Sequence, residues 1–262
     1  MDRMGRRFTA IPAKVLSGFA FGIASKQNGA FQARILLALA ALVWFAAAPA
    51  SQAQNCRSDP GPSIDWRGCN KKTLMLDGSD FTRANLTGTD FSYTDLRHSI
   101  FAGADLTKGK MIRALLNNAS ADNAIFERVE GYRATLQDVR ANGASFKSGE
   151  LQRANFTGAQ LRGANFEKAD LSRAVFDKAV ITGANFVYAN LSRASLSSAV
   201  FEGSLDFKNA FFLFVRIEGV DLSQAENVTQ QQLDMACGDN ATKLPAGLTM
   251  PSQWPCPEEA KD

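Results

Sequence analysis

Enzymatic chemistry needs nucleophiles, acids, bases or metal ligands gathered in one place, and this chain offers few of them. It has one histidine, His98, and four cysteines, Cys56, Cys69, Cys237 and Cys256. A single histidine cannot build a histidine-based metal site, and it stands at a polar, outward position. There is no Gly-rich phosphate loop, no G-x-S-x-G, no H-E-x-x-H and no paired C-x-x-C. Asp and Asn recur at a fixed five-residue spacing, which fits side chains that bond the backbone at turns better than paired catalytic carboxylates. The expectation is a protein that is not an enzyme, with no cofactor and no metal.

Another series has a spacing that bears on binding. Arg113, Arg133, Arg153, Arg173 and Arg193 fall twenty residues apart, with Tyr93 one step before them. Three residues ahead of the middle three stand Glu130, Glu150 and Asp170, whereas Lys110 and Asn190 hold that place beside Arg113 and Arg193. Guanidiniums stacked about 4.8 Å apart repel by roughly 1 kcal/mol in water. Two readings are open: a surface ion-pair ladder with the acidic series, or a docking strip for a repeating anion such as an envelope polysaccharide or lipid head group. A parallel series, Gly103, Asn123, Gly143, Gly163, Gly183 and Gly203, suits a turn position with positive φ. A flat docking face is its functional alternative.

These spacings belong to a shorter period. In residues 154–186 a large apolar residue falls every five: Phe156, Leu161, Phe166, Leu171, Phe176, Ile181 and Phe186, each with alanine two places before it. The register runs back through Phe101, Leu96, Phe91, Leu86, Phe81 and Leu76 to Trp66, and forward through Leu191, Leu196 and Phe201. After one extra residue it resumes at Phe207, Phe212, Ile217 and Leu222. A helix repeats every 3.6 residues and a strand every 2, so a period of five describes a chain that turns a corner after each unit. Such units bury too little to fold alone and must stack.

The A-(D/N)-(L/F)-x-x pattern resembles the pentapeptide-repeat family. That resemblance implies an all-β fold, a right-handed quadrilateral β-helix with four units per coil and about eight coils. At about 4.8 Å per coil the rod is roughly 38 Å long. Ala121, Gly131 and Ala141 occupy centres that should be large, which predicts a softer or bulged stretch or a loop. The step from Phe201 to Phe207 predicts a bulge.

The net charge of +3 is concentrated in residues 1–53, where six basic side chains face only Asp2. The remainder is close to neutral, which gives no net attraction to nucleic acid or to an anionic membrane. Arg34 precedes an apolar run, Ile35 to about Ala48, that is short for a spanning helix and ends in small residues with Ser51 and Ala53 at the −3 and −1 places of a cleavage site. This reads as a signal peptide cleaved after Ala53, with an inner-membrane signal anchor as the alternative. Periplasmic or secreted localisation follows, with no membrane span after cleavage. All four cysteines lie beyond Ala53, and proximity favours Cys56–Cys69 and Cys237–Cys256 as disulfides, one at each end.

The expected organisation is a signal peptide over 1–53, a lead-in over 54–63, the solenoid over 64–227 and a C-terminal cap over 228–262. The cap reads as a short helix after Thr229, ended by Gly238, followed by a Pro-rich tail. Phe211, Leu213 and Phe214 would make an apolar patch at outward positions, covered by the tail or by a second rod in an end-to-end homodimer. The expected function is a structural or interaction scaffold of the envelope. Its partner is an unknown protein or an envelope polymer and not nucleic acid, and the chain acts as a monomer or end-to-end dimer. The alternative implied by some family members is DNA mimicry toward a topoisomerase, which the export signal and balanced charge oppose.

Overall fold

The computed structural model describes residues 55–256, all within one compact unit, Ala53–Asp262. The signal sequence and the Ala53 cleavage site lie outside the described residues.

Each five-residue unit makes one side of a four-sided coil. The carbonyl of the central residue accepts from the amide three residues later, as Trp66 does from Cys69 (2.9 Å) and Leu151 from Ala154 (3.0 Å). The residue two after the centre has positive φ, for example 53° at Arg113 and 71° at Gly158. This is a type II turn, repeated at the corners from Ser63 to Gly219. The residue before each centre bridges in parallel to the residue twenty further on, from Asp65–Asn85 through Val180–Val200. Five residues are thus enough for one turn and one bridge, and the period read from the sequence is the length of one side. The coil geometry begins earlier than the expected boundary: Ser63 already has φ 57° and its amide donates to Thr82 (2.8 Å).

Centres point inward and stack. Phe126, Phe146, Phe166, Phe186 and Phe207 form one column, with ring centroids 4.8, 4.9, 5.1 and 5.4 Å apart. Phe156 and Phe176 form another, 4.9 Å apart, and meet the first edge-on. Alanines such as Ala154, Ala164, Ala174 and Ala184 are buried where the corners crowd.

The expected soft stretch is not there. Bridges run without interruption through Ser120–Arg140 and Glu130–Glu150. A neighbour fills what the small centres leave: the Leu151 Cδ2 atom lies 2.7 Å from where a Cβ on Gly131 would stand. The Phe126–Phe146 stack occupies the interior at the level of Ala121 and Ala141, both buried. The bulge at 201–207 is present. The ladder there moves from a step of twenty to one of twenty-one (Asn185–Asp206), Leu205 is buried, and β1 (Leu205–Asp206) pairs in parallel with β2 (Ala225–Glu226).

Both ends are closed. Cys56 and Cys69 are bridged with Cα atoms 5.5 Å apart, and Cys237 and Cys256 with Cα atoms 5.3 Å apart. At the C-terminal end, α1 (Gln230–Met235) is capped by Thr229, whose side chain accepts from the Gln232 amide while the Gln232 side chain accepts from the Thr229 amide. The buried Gln232 donates to the carbonyls of Phe207 (3.0 Å) and Ala210 (2.9 Å), and Leu233 is fully buried. Beyond α1 the chain rejoins the ladder at Arg216–Cys237 and Asp221–Lys243, so the cap is itself an irregular further coil. Gly238 does not end the helix, whose C-cap is Ala236; it is the seat of Trp254, whose ring occupies the space a Cβ there would need.

Candidate functional site

The arginine series occupies one corner column. Arg113, Arg133, Arg153, Arg173 and Arg193 have φ of 53°, 56°, 60°, 58° and 58°, with Tyr93 (60°) before them and Phe214 (55°) after them. The acidic series forms a second column on the same side, since Glu130 bridges Glu150, Glu150 bridges Asp170, Asp170 bridges Asn190 and Asn190 bridges Phe211. Positive φ is not special to the glycine series. Corners all along the rod meet it, as with Arg83 (55°), Lys108 (58°) and Tyr188 (58°). Space does not demand glycine at most places in that series: nothing lies within 4 Å of a Cβ on Gly163, and on Gly183 the nearest atom is 3.8 Å away, whereas on Gly143 a Cβ would meet the Asn123 side chain at 2.6 Å.

The ion-pair ladder between the two columns does not form. Among the described residues no salt bridge joins Arg113, Arg133, Arg153 or Arg173 to Glu130, Glu150 or Asp170. Asp170 and Glu130 have other partners. Asp170 accepts from the Ser172 amide (3.0 Å), from Gln152 (2.8 Å) and from Asn190 (3.1 Å), and Lys110 sits 3.5 Å from Glu130. The Arg133 guanidinium lies over the Tyr132 ring at 5.4 Å and that of Arg193 over Phe214 at 5.6 Å. Charges do pair on other sides of the rod, as in Lys147–Glu167 (2.8 Å) and Arg140–Asp122 (2.7 Å).

The Asp and Asn residues before the centres serve the turns, as their spacing suggested. Asp80, Asp90, Asn155 and Asn190 each accept from the backbone amide two residues on. The Thr82 hydroxyl and amide hold the Asp80 carboxyl below its ordinary pKa. For Asp90, burial opposes ionisation, but bonds from Ser92 and Lys72 outweigh it and the pKa is lowered. His98 bonds Asp77 at 2.9 Å. No group of three or more His, Cys, Asp or Glu among the described residues is placed to hold a metal ion.

Phe211 and Phe214 are 47% and 44% exposed and Leu213 is half-buried. Of the two coverings expected, the tail over its described residues does not supply one, because it is spent on the open end of the rod. Leu233 enters the interior, Trp254 donates to Ala236 (2.7 Å) and Thr242 donates to Ile217 (3.0 Å). Sequence reasoning also missed Lys71. It occupies a centre between Trp66 and Leu76, and counting by five was the signal that could have found it. Its Nζ lies 3.3 Å above the Trp66 ring and donates to the Cys56 carbonyl (2.8 Å), with 7% of the residue exposed. Burial pushes the ammonium pKa down, and Asp59 opposes the shift.

A four-sided coil of type II turns with stacked inward Leu and Phe defines a solenoid repeat protein. The profile described as Pentapeptide repeats matches the chain in 8 copies, over residues 79–118, 142–176, 150–186, 174–205 and 182–224. The chain belongs to the pentapeptide-repeat family, and its fold is the right-handed quadrilateral β-helix of that family. Among solved structures it is similar to HetL, a pentapeptide repeat protein involved in heterocyst differentiation regulation from the cyanobacterium Nostoc sp. strain PCC 7120. The identity is 21%, covering 73% of this chain and 91% of that one, with a TM-score of 0.36. It is also similar to QnrB1, a plasmid-mediated fluoroquinolone resistance protein, at 18% identity over 68% of this chain and 94% of that one, with a TM-score of 0.34. The pentapeptide repeat protein alr5209 from Nostoc Pcc 7120 is 30% identical over 46% of this chain and 84% of that one, with a TM-score of 0.32. No curated protein matches the chain.

Proposed function

We propose that this chain is a non-catalytic interaction scaffold exported to the periplasm or beyond, binding its partner through a side face of the rod. The observation that carries this reading is the closure of both rod ends by disulfide-bridged segments, Cys56–Cys69 and Cys237–Cys256. Disulfides persist in oxidising compartments, and closed ends leave the long faces as the surfaces open to a partner. The basic-flanked apolar segment ending at Ser51 and Ala53 supports export, and no helix among the described residues is long and apolar enough to cross a membrane. The face bearing the arginine column also carries the exposed Phe211 and Phe214, which makes it the working face. Mass spectrometry of the native protein tests the reading. An N-terminus near Gln54 with no alkylatable thiol is expected, whereas a cytoplasmic product starting at Met1 with four free thiols would refute it.

A further inference from the structure

We propose that the partner of the arginine face is a second copy of this chain, docked face to face with the two rods parallel. The inference rests on the scaffold reading only in taking this face as a binding surface, and it does not depend on export. Two columns run side by side along the face. One carries Glu130, Glu150, Asp170, Asn190 and then Phe211; the other carries Arg133, Arg153, Arg173, Arg193 and then Phe214. Each arginine stands in the same five-residue unit as its acid, so the two lie at nearly the same height on the rod.

A two-fold axis parallel to the rod leaves height unchanged and exchanges left with right. Arg133 of one copy then meets Glu130 of the other, Arg153 meets Glu150, and Arg173 meets Asp170. The same operation is isologous, so every pair occurs twice. It also brings Phe214 onto Phe211 of the second copy, with Leu213 between them near the axis. An antiparallel arrangement would set acids against acids and arginines against arginines. The face is therefore self-complementary in charge and in apolarity, and only in the parallel sense. Within one chain no salt bridge joins Arg133, Arg153 or Arg173 to its neighbouring acid, and the second copy supplies those carboxylates. Contact fades toward the N-terminal end, where Arg113 would meet Lys110, a residue already turned to Glu130 at 3.5 Å.

A linear polyanion suits the face less well. It would lie against Glu130, Glu150 and Asp170 wherever it reached the arginines, and Phe211, Leu213 and Phe214 offer it nothing.

Light scattering on the oxidised full-length protein tests the proposal. A dimer is expected, weakened by added salt. Glu150→Arg and Arg153→Glu should each raise the dimer Kd at least about tenfold, since each sets like charges opposite at two places. The double variant Glu150→Arg/Arg153→Glu should return to within a few-fold of the parent. Phe214→Asp should give a monomer with unchanged circular dichroism and thermal midpoint. Leu213→Cys should cross-link the two copies through residue 213, which the antiparallel arrangement would not allow. A monomer at every concentration would overturn the proposal. So would a dimer indifferent to the single reversals, or one whose Leu213→Cys form does not cross-link. A monomer retained on immobilised polygalacturonate, and released by Arg153→Gln/Arg173→Gln, would assign the face to a polyanion instead. The scaffold reading would survive that result, whereas a cytoplasmic product with free thiols would leave the dimer test untouched.

Discussion

Gly131 stands where the repeat places leucine or phenylalanine, and Leu151 of the next coil fills the space it leaves, with Cδ2 2.7 Å from a would-be Cβ. The same side chain passes Gly149, where Cδ1 lies 3.3 Å from a Cβ position, so the two glycines and the leucine form one packing unit. Restoring the repeat consensus at this centre should therefore harm the protein. Gly131→Leu is expected to cost about 1–3 kcal/mol through overpacking. Leu151→Ala should cost about 2–5 kcal/mol through the cavity it opens. Because the sites touch, the double variant should be less destabilised than the sum, which a chemical-denaturation cycle measures. A stabilised Gly131→Leu would mean that the centre is empty rather than filled from above.

At the scale of elements, the turn and the cap obey different rules, and that difference decides what the sequence made legible. The side length, the inward columns, the bulge after Phe201, the disulfide pairing and the Thr229 cap were all readable, because each depends on residues close in sequence or on the period itself. The filling of the middle coils was not, since Leu151 compensates for Gly131 across a coil boundary. Nor was the place of the tail. Its apolar residues suit the patch at Phe211 and Phe214 as well as the rod's open end, and only the reach of Gln232 to the carbonyls of Phe207 and Ala210 and of Thr242 to that of Ile217 selects the end. The arginine column was legible as a column, but its partners were not, because Asp170 is held by Ser172, Gln152 and Asn190 and Glu130 lies by Lys110. The tail is also pinned by Lys243, whose Nζ lies 2.8 Å from Asp221, and that bond with the Ser223 amide pushes the Asp221 pKa down to about 2. A depressed carboxyl stabilises the fold fully above its ordinary value of 3.8 and stops doing so as pH falls through about 2. The Lys243 pKa is raised, so its contribution is lost only when pH rises above its ordinary value of 10.5. The side chains are 69% and 46% exposed, so solvent screens the pair and its contribution is small. Asp221→Asn should be slightly less stable than the parent at neutral pH, and the difference should shrink as pH falls below 3.8 and be gone only below about 2 in thermal melts. A difference that does not shrink at all between about pH 4 and pH 2 would show that ionisation of the pair contributes nothing.

The described residues form a stack in which each coil touches only its neighbours, so stability is a sum along one dimension and the ends carry the risk. An uncovered last coil would present Phe207, Phe212, Ile217 and Leu222 together with free backbone groups, a template for edge-to-edge association. The segment after Asn227 meets that need with buried Leu233, with Gln232 on two carbonyls, and with a bridge closing nineteen residues from Cys237 to Cys256. Truncation after Asn227 should therefore lower the thermal midpoint, increase binding of an apolar dye and drive aggregation. The bridge alone can be removed with Cys237→Ser/Cys256→Ser, which should cost about 3 kcal/mol by loop closure, and Cys56→Ser/Cys69→Ser at the other end should cost a similar amount. The rod separates the two pairs by several coils, so the four-fold variant should lose the sum of the two within about 0.5 kcal/mol. A loss well beyond the sum would show that the ends communicate through the stack and would refute the nearest-neighbour account. A truncated protein as stable and as soluble as the parent would show that the rod needs no cap.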